Sequence, residues 1–140
     1  VALTGCAAPA EAPAPTPPAA APAPYQCVLS GEQRMLVAEL FFGRKIKDGG
    51  FVSDAEWSRF AAEIVTPNFP DGFTAFDASG QWRNPRTGAI ARDPTKVLII
   101  AVKRSPELAG RLQAVIDAYK SRFHQQSVGI ITRDSCANFD

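Results

Sequence analysis

Two runs of this chain are apolar on both alternating sides, and they constrain what it can fold into more than any other feature. Val97-Leu98-Ile99-Ile100-Ala101-Val102 has no polar side at all. Met35 to Phe42 sets Leu36, Ala38, Leu40 and Phe42 on one side and Met35, Val37, Glu39 and Phe41 on the other. A period-two run that is apolar on both sides belongs inside a sheet, between other strands and covered on at least one face. The rest of the chain has to supply those neighbours and that cover.

The cover comes from two helical stripes. Ser53-Asp54-Ala55-Glu56 is a capping box, in which the Ser53 hydroxyl accepts from the Glu56 amide and the Glu56 carboxylate accepts from the Ser53 amide. Val52 and Trp57 add a hydrophobic staple around it. Trp57, Phe60, Ala61, Ile64 and Val65 then recur at helical spacing, with Pro67 and Pro70 expected to stop the helix. The second helix is expected to open at Ser105-Pro106, with Ser as cap and Pro in the first helical position. Leu108, Leu112, Val115, Ile116, Tyr119 and Phe123 form its stripe.

The remaining strands are shorter or more polar. Phe73 to Asp77 reads as one, followed by a bulge or turn at Ser79-Gly80, after which Gln81-Trp82-Arg83 continues or reverses. Asn84-Pro85-Arg86-Thr87-Gly88 is a strong turn signal, the third strand is expected over 96–103, and Ser127 to Arg133 is the last. The order β-α-β-β-α-β is that of an α+β, ferredoxin-like sandwich, a four-stranded antiparallel sheet in order 4-1-3-2. Right-handed crossovers place both helices on one face. Val37, Phe41 and one set of side chains from 97–102 are then left on the other face, with Glu39 a polar group that needs a partner there.

Residues 7–24 are Ala and Pro apart from Glu11 and Thr16, and cannot bury enough surface to offset their ordering entropy. The folding unit is therefore expected over 25–140, behind a stalk that would reach about 50 Å if extended as polyproline II. Leu3-Thr4-Gly5-Cys6 resembles the bacterial lipobox, with 1–6 as the end of a lipoprotein signal whose charged region and most of whose apolar core lie upstream. The resemblance implies a lipid on Cys6 and anchorage to a membrane. Ala7, where an Asp would favour inner-membrane retention, implies the outer membrane, with the domain facing the periplasm. In an exported chain, Cys27 and Cys136 read as a disulfide. The strand order places them at the same end of neighbouring strands, and the bond would contribute about 4–5 kcal/mol in the chain-entropy picture.

Glu39-Leu40-Phe41-Phe42-Gly43-Arg44, Ser53-Asp54-Ala55-Glu56-Trp57, the segment from Val65-Thr66-Pro67 through Gly80-Gln81-Trp82-Arg83, and Lys96-Val97-Leu98-Ile99 together resemble a family of exported bacterial proteins, domain-of-unknown-function family 3574. The resemblance spans nearly all of 35–136. It implies an exported setting and assigns no activity and no site residues.

With 15 Lys and Arg against 14 Asp and Glu, the chain has a formal net charge of +1, which gives no electrostatic case for nucleic acid. His124 is the one histidine, and no nucleophile set, metal-ligand spacing or phosphate loop appears, so the sequence points to no metal and no cofactor. The reading leans away from an enzyme and toward a binding or assembly module. Asp71, Asp77 and Asp93 read as turn residues. The loop after the first strand, the hairpin, the start of the first helix and the end of the second project from one end of this topology. Arg44, Trp82, Arg83, Arg92 and Lys96 collect there as candidates for an anionic envelope ligand, with Lys45, Lys47, Arg86, Arg122 and His124 around them. A homodimer through the bare sheet face is the second expectation. The alternative to both is a small enzyme or ligand-binding dimer with a cavity over that face, in which Glu39 is the candidate catalytic acid or base.

Overall fold

The two doubly apolar runs are adjacent central strands. In the computed structural model, which describes residues 26–139, β1 (Gln33–Gly43) pairs antiparallel with β3 (Ile90–Val102) in a register that sets Leu40 opposite Leu98. On its other edge β1 pairs with β4 (Gly129–Ala137), and β2 (Thr74–Arg83) pairs with the outer edge of β3. The sheet is four-stranded and antiparallel in the order β2-β3-β1-β4, as expected from the sequence. The expectations for Cys6 and the Ala/Pro segment lie outside the described residues.

One face of this sheet carries the helices. The capping box forms as read, opening α1 (Asp54–Phe60). The helix then widens into a π turn (Ala61–Val65) and runs on as α2 (Thr66–Asn68). Pro67 therefore does not stop the helix. It lacks an N–H and would crowd the carbonyl four residues back, and the widened turn, whose closing bond runs from the Thr66 amide to Ala61, lies directly before it. Arg111 of α3 (Leu108–Arg122) donates to the Asn68 carbonyl and stacks over the Phe69 ring at 4.8 Å, tying the two helical arms together. Glu107 precedes α3 with no side-chain cap bond, so Ser105-Pro106 forms a turn ahead of the helix rather than its first residues.

Under the helices, Leu36, Ala38, Leu40, Phe42, Leu98 and Ile100 meet Val52, Trp57, Phe60, Val65, Leu112 and Val115 in one core. An aromatic cluster fills its end. Phe42 and Tyr119 stand 4.7 Å apart between ring centroids, and Tyr119 and Phe123 4.9 Å. The Tyr119 hydroxyl donates to the Gly43 carbonyl at 2.9 Å, and burial pushes that phenol up to about 12.

β2 and β3 are longer than their sequence signals. Ser79-Gly80 is neither bulge nor turn, because pairing runs unbroken through Ser79–Pro94, Gly80–Asp93 and Gln81–Arg92. Beyond the end of β1 at Gly43, which pairs with Thr95, the two strands continue as a two-stranded arm. The arm closes in a turn where the Asn84 side chain accepts from the amides of Arg86 and Thr87, with Gly88 at φ 72°. At the opposite end of the sheet, Cys27 is bonded to Cys136 with Cα atoms 5.6 Å apart.

Candidate functional site

The face without helices is apolar across its centre. Strand alternation puts Val37, Glu39 and Phe41 of β1, Val97 and Ile99 of β3, Phe76 and Trp82 of β2, and Ile131 of β4 on it. Neighbouring side chains hide Val37 and Val97, at 8% and 5% exposure, while Phe76, Trp82 and Ile131 remain 46%, 52% and 52% exposed. Glu39, the polar residue that needed a partner, has one: its carboxylate meets Arg133 of β4 at 2.7 Å. The face therefore carries its ion pair internally, with no lone charge at Glu39.

On the helix side, Arg44 and Lys96 form a compact ion cluster with Asp54 and Asp77. Lys96 Nζ lies 2.7 Å from Asp77 and 3.1 Å from Asp54, and Arg44 reaches the same two carboxylates at 3.4 and 3.1 Å. Arg44 Nε also donates to the Val52 carbonyl, so the cluster fastens β1, β2, β3 and the start of α1 together. Lys96 is held above its ordinary ammonium value, first by the Asp77 bond and against the cost of burial. The Lys96 bond, followed by the Arg44 charge, pulls Asp54 below the usual carboxylate range. Two cations facing two carboxylates leave little net field for a further anion. Asp77 is thus a strand residue in an ion cluster and not a turn residue.

The remaining candidates part company at the arm. Trp82 lies on the helix-free side, whereas Arg83 and Arg92 alternate to the helix side, and the Arg83 guanidinium lies over the turn at Gly88. The five candidates Arg44, Trp82, Arg83, Arg92 and Lys96 do share one end of the fold, but the structure does not gather them into one site.

A different set converges there. Where the arm leaves the sheet, a cleft of about 430 Å³ opens between Phe41 and Gly129 on the sheet face, Trp82 and Asp93 on the arm, Lys45 and Lys47 on the loop after β1, and the segment 124–127 after α3. Gly129 stands directly opposite Phe41, and a Cβ there would meet the Phe41 side chain at 3.4 Å, so the glycine leaves that ring open as a floor. Asp93, read from sequence as a turn residue, sits in β3. Its Oδ1 is shielded from solvent and meets no protein donor among the described residues.

His124 adds the rim. It follows the C-cap residue of α3 with φ 51°, the left-handed conformation that usually falls to glycine, and the Gln125 amide closes the helix end on Lys120. Gln125 in turn donates to the Lys45 carbonyl, fixing the loop after β1 to the loop after α3. No sequence signal placed Asp93 or the 125–129 segment in a cleft, because only the strand register and the arm bring them beside Phe41 and Trp82.

Among the described residues, the acid, histidine and cysteine side chains close enough together to hold a metal are Cys27, Glu32 and Cys136, and the two sulfurs are bonded to each other. No helix among those residues is long and apolar enough to cross a membrane.

An α+β domain with a four-stranded antiparallel sheet, helices on one face and an apolar open face is the class these features define. The chain belongs to the family described as "Protein of unknown function (DUF3574)", whose model matches residues 37–139. No curated protein matches it. Among solved structures it is similar to a phage SAM lyase in complex with S-methyl-5'-thioadenosine, with a TM-score of 0.56 and 17% identity over 80% of this chain and 95% of that one. It is likewise similar to phage SAM lyase in the apo state, with a TM-score of 0.54 and 17% identity over 84% and 99%. At that identity the likeness is one of fold.

Proposed function

We propose that this protein is a lipid-anchored component of the cell envelope, tethered through Cys6, whose domain works as a binding and assembly module by pairing its helix-free sheet face with that of a second copy. The observation that carries this reading is the exposure of Phe76, Trp82 and Ile131 around an apolar centre on a face that no helix covers. Four strands about 4.8 Å apart and roughly 25 Å long offer on the order of 500 Å² in projection, and more as accessible area. That approaches the ~800 Å² per partner of a standard interface. A two-fold pairing brings the same patch to both sides, and the Glu39–Arg133 pair would enter the interface already neutralised.

The tether supports the same arrangement. The described chain enters beside Cys27, which is bonded to Cys136, opposite Arg34 at the start of β1. A lipid on Cys6 would draw that end toward the bilayer and leave the arm pointing into the periplasm, with the outer membrane as the anchoring surface.

The test is the mass of the 140-residue chain, disulfide oxidised and without lipid, by light scattering and sedimentation across the micromolar range. A dimer that becomes monomeric on Phe76→Asp or Ile131→Asp, both at exposed positions, supports the reading, and a monomer at every concentration sinks it. Incorporation of labelled fatty acid in a bacterial host, abolished by Cys6→Ala, tests the anchor.

A second reading is a small enzyme or ligand-binding dimer with its cavity over the same face. What favours it is a carboxylate, Glu39, set among apolar side chains beside one guanidinium. Turnover lost in a folded Glu39→Gln variant distinguishes it from a binding module.

A further inference from the structure

The cleft at the base of the arm has the chemistry of a ligand site, and we infer that it binds a sugar ring carrying a carboxylate, as a terminal or branching unit of an acidic glycan. This does not rest on the self-association proposed above, and a pairing that covered Trp82 would compete with the ligand. Three independent features point to a ligand. Trp82 presents an indole that is 52% exposed on one wall, and Phe41, left open by Gly129, presents a second ring as the floor. Flat aromatic faces of this kind suit the C–H face of a pyranose, an amphipathic surface that is apolar in the middle and rimmed with hydroxyls.

The second feature is Asp93. A carboxylate oxygen shielded from solvent without a donor is costly, and because Asp93 lines the cleft, a rotation of its carboxyl would bring that oxygen to the opening, where a ligand hydroxyl can supply the missing hydrogen bond. The third is the opposite rim, where Lys45, Lys47 and His124 stand together and enter no ion pair among the described residues. Arg44 and Lys96 nearby are consumed by Asp54 and Asp77, so among the side chains that line the cleft the ammonium groups are those of Lys45 and Lys47, set against the one carboxylate of Asp93. An acceptor on one side and cations on the other select a ligand that donates hydroxyls from one edge and carries an anion on the other.

His124 holds the left-handed conformation, where glycine would sit without strain, and its side chain lines the rim of the cleft. At about 430 Å³ the cleft is large enough for one or two sugar rings.

The experiment is a nuclear magnetic resonance titration of the oxidised 140-residue chain with glucuronate and with N-acetylmuramate, against glucose and N-acetylglucosamine as uncharged controls. The chain has two tryptophans, and Trp82→Phe assigns the exposed indole resonance. For a ligand of this size a dissociation constant on the order of 1 mM is expected. The expected result is a saturable shift of the Trp82 indole and of amides in 124–129, at least several-fold tighter for an acid than for its control. Asp93→Asn should weaken every sugar, whereas Lys45→Glu with Lys47→Glu should abolish the preference for acids and leave ring binding in place. Repeating the titration on Ile131→Asp separates this site from self-association: binding retained in a monomer supports the cleft whatever becomes of the dimer. No saturable shift with either acid, or shifts that leave Trp82 and 124–129 unaffected, overturns the inference.

Discussion

Lys96 and Asp77 are direct cross-strand partners on β3 and β2, and their side chains meet at 2.7 Å on the helix side of the sheet, where Asp54 and Arg44 complete the cluster. Lys96 is 8% exposed, and its ammonium meets both carboxylates of the cluster. Asp77→Ala removes its strongest partner and leaves Asp54 to hold both cations. It should lower the unfolding free energy by about 1 kcal/mol in urea titrations. Lys96→Met keeps the buried stem but leaves Asp54 and Asp77 with Arg44 alone, and should likewise cost about 1 kcal/mol.

The same cluster sets a pH dependence with two limbs. Asp54 titrates below its ordinary 3.8 in the folded chain, so its contribution is present above that value and is lost as pH falls below it. Lys96 titrates above its ordinary 10.5, so its contribution is full below that pH and is lost as pH rises beyond it. Thermal melting should therefore fall below about pH 4 and above about pH 10, and Lys96→Met should flatten the alkaline limb.

Tyr119 adds to that limb by a different route. Burial pushes the phenol from 10.0 up to about 12, so the folded state holds its proton where the unfolded state has lost it, and stability drains away between those two values. Tyr119→Phe should be destabilised by about 1 kcal/mol at neutral pH, through loss of the bond to the Gly43 carbonyl. It should then lose less than the parent chain above pH 10, a crossing visible in denaturation curves taken at pH 7 and pH 11.

Cys27 and Cys136 are 109 residues apart in sequence, so their bond restricts almost the whole folded unit in the unfolded state. Reduction, or replacement of both by Ser, should cost about 4–5 kcal/mol, and chemical denaturation with and without reductant measures it.

His124→Gly should stabilise the domain by roughly 0.5–1 kcal/mol, since glycine adopts the left-handed conformation without the Cβ penalty. The same change removes one side chain from the rim of the cleft. A variant that melts higher and binds the acidic sugars less well would be the expected signature of strain kept for a site.

The sheet, its order and its disulfide were legible because each rests on local rules. Alternation named the central strands, the Ser53–Glu56 box opened the first helix, and β-α-β-β-α-β order placed Cys27 beside Cys136 before any contact was known. The continuation of the helix through Pro67 was not legible, because a π turn absorbs the proline without leaving a sequence signal. Nor was the arm, since Ser79-Gly80 reads as a bulge or turn and Asp93 as a turn residue when taken alone, and both lie in strands once paired with each other.

The architecture, the apolar open face and the need of Glu39 for a partner follow from side-chain period and chain order, which dictate which residues share a side. Tertiary structure alone decided which charges remain available. Arg44 and Lys96 stand out in the sequence as free cations, and the fold closes them on Asp54 and Asp77. Asp93 looks like a turn residue, and the fold sets it in a cleft wall with Trp82 and shields one of its carboxylate oxygens. Pairing of charges depends on distances across strands and loops far apart in the chain, which no local pattern encodes.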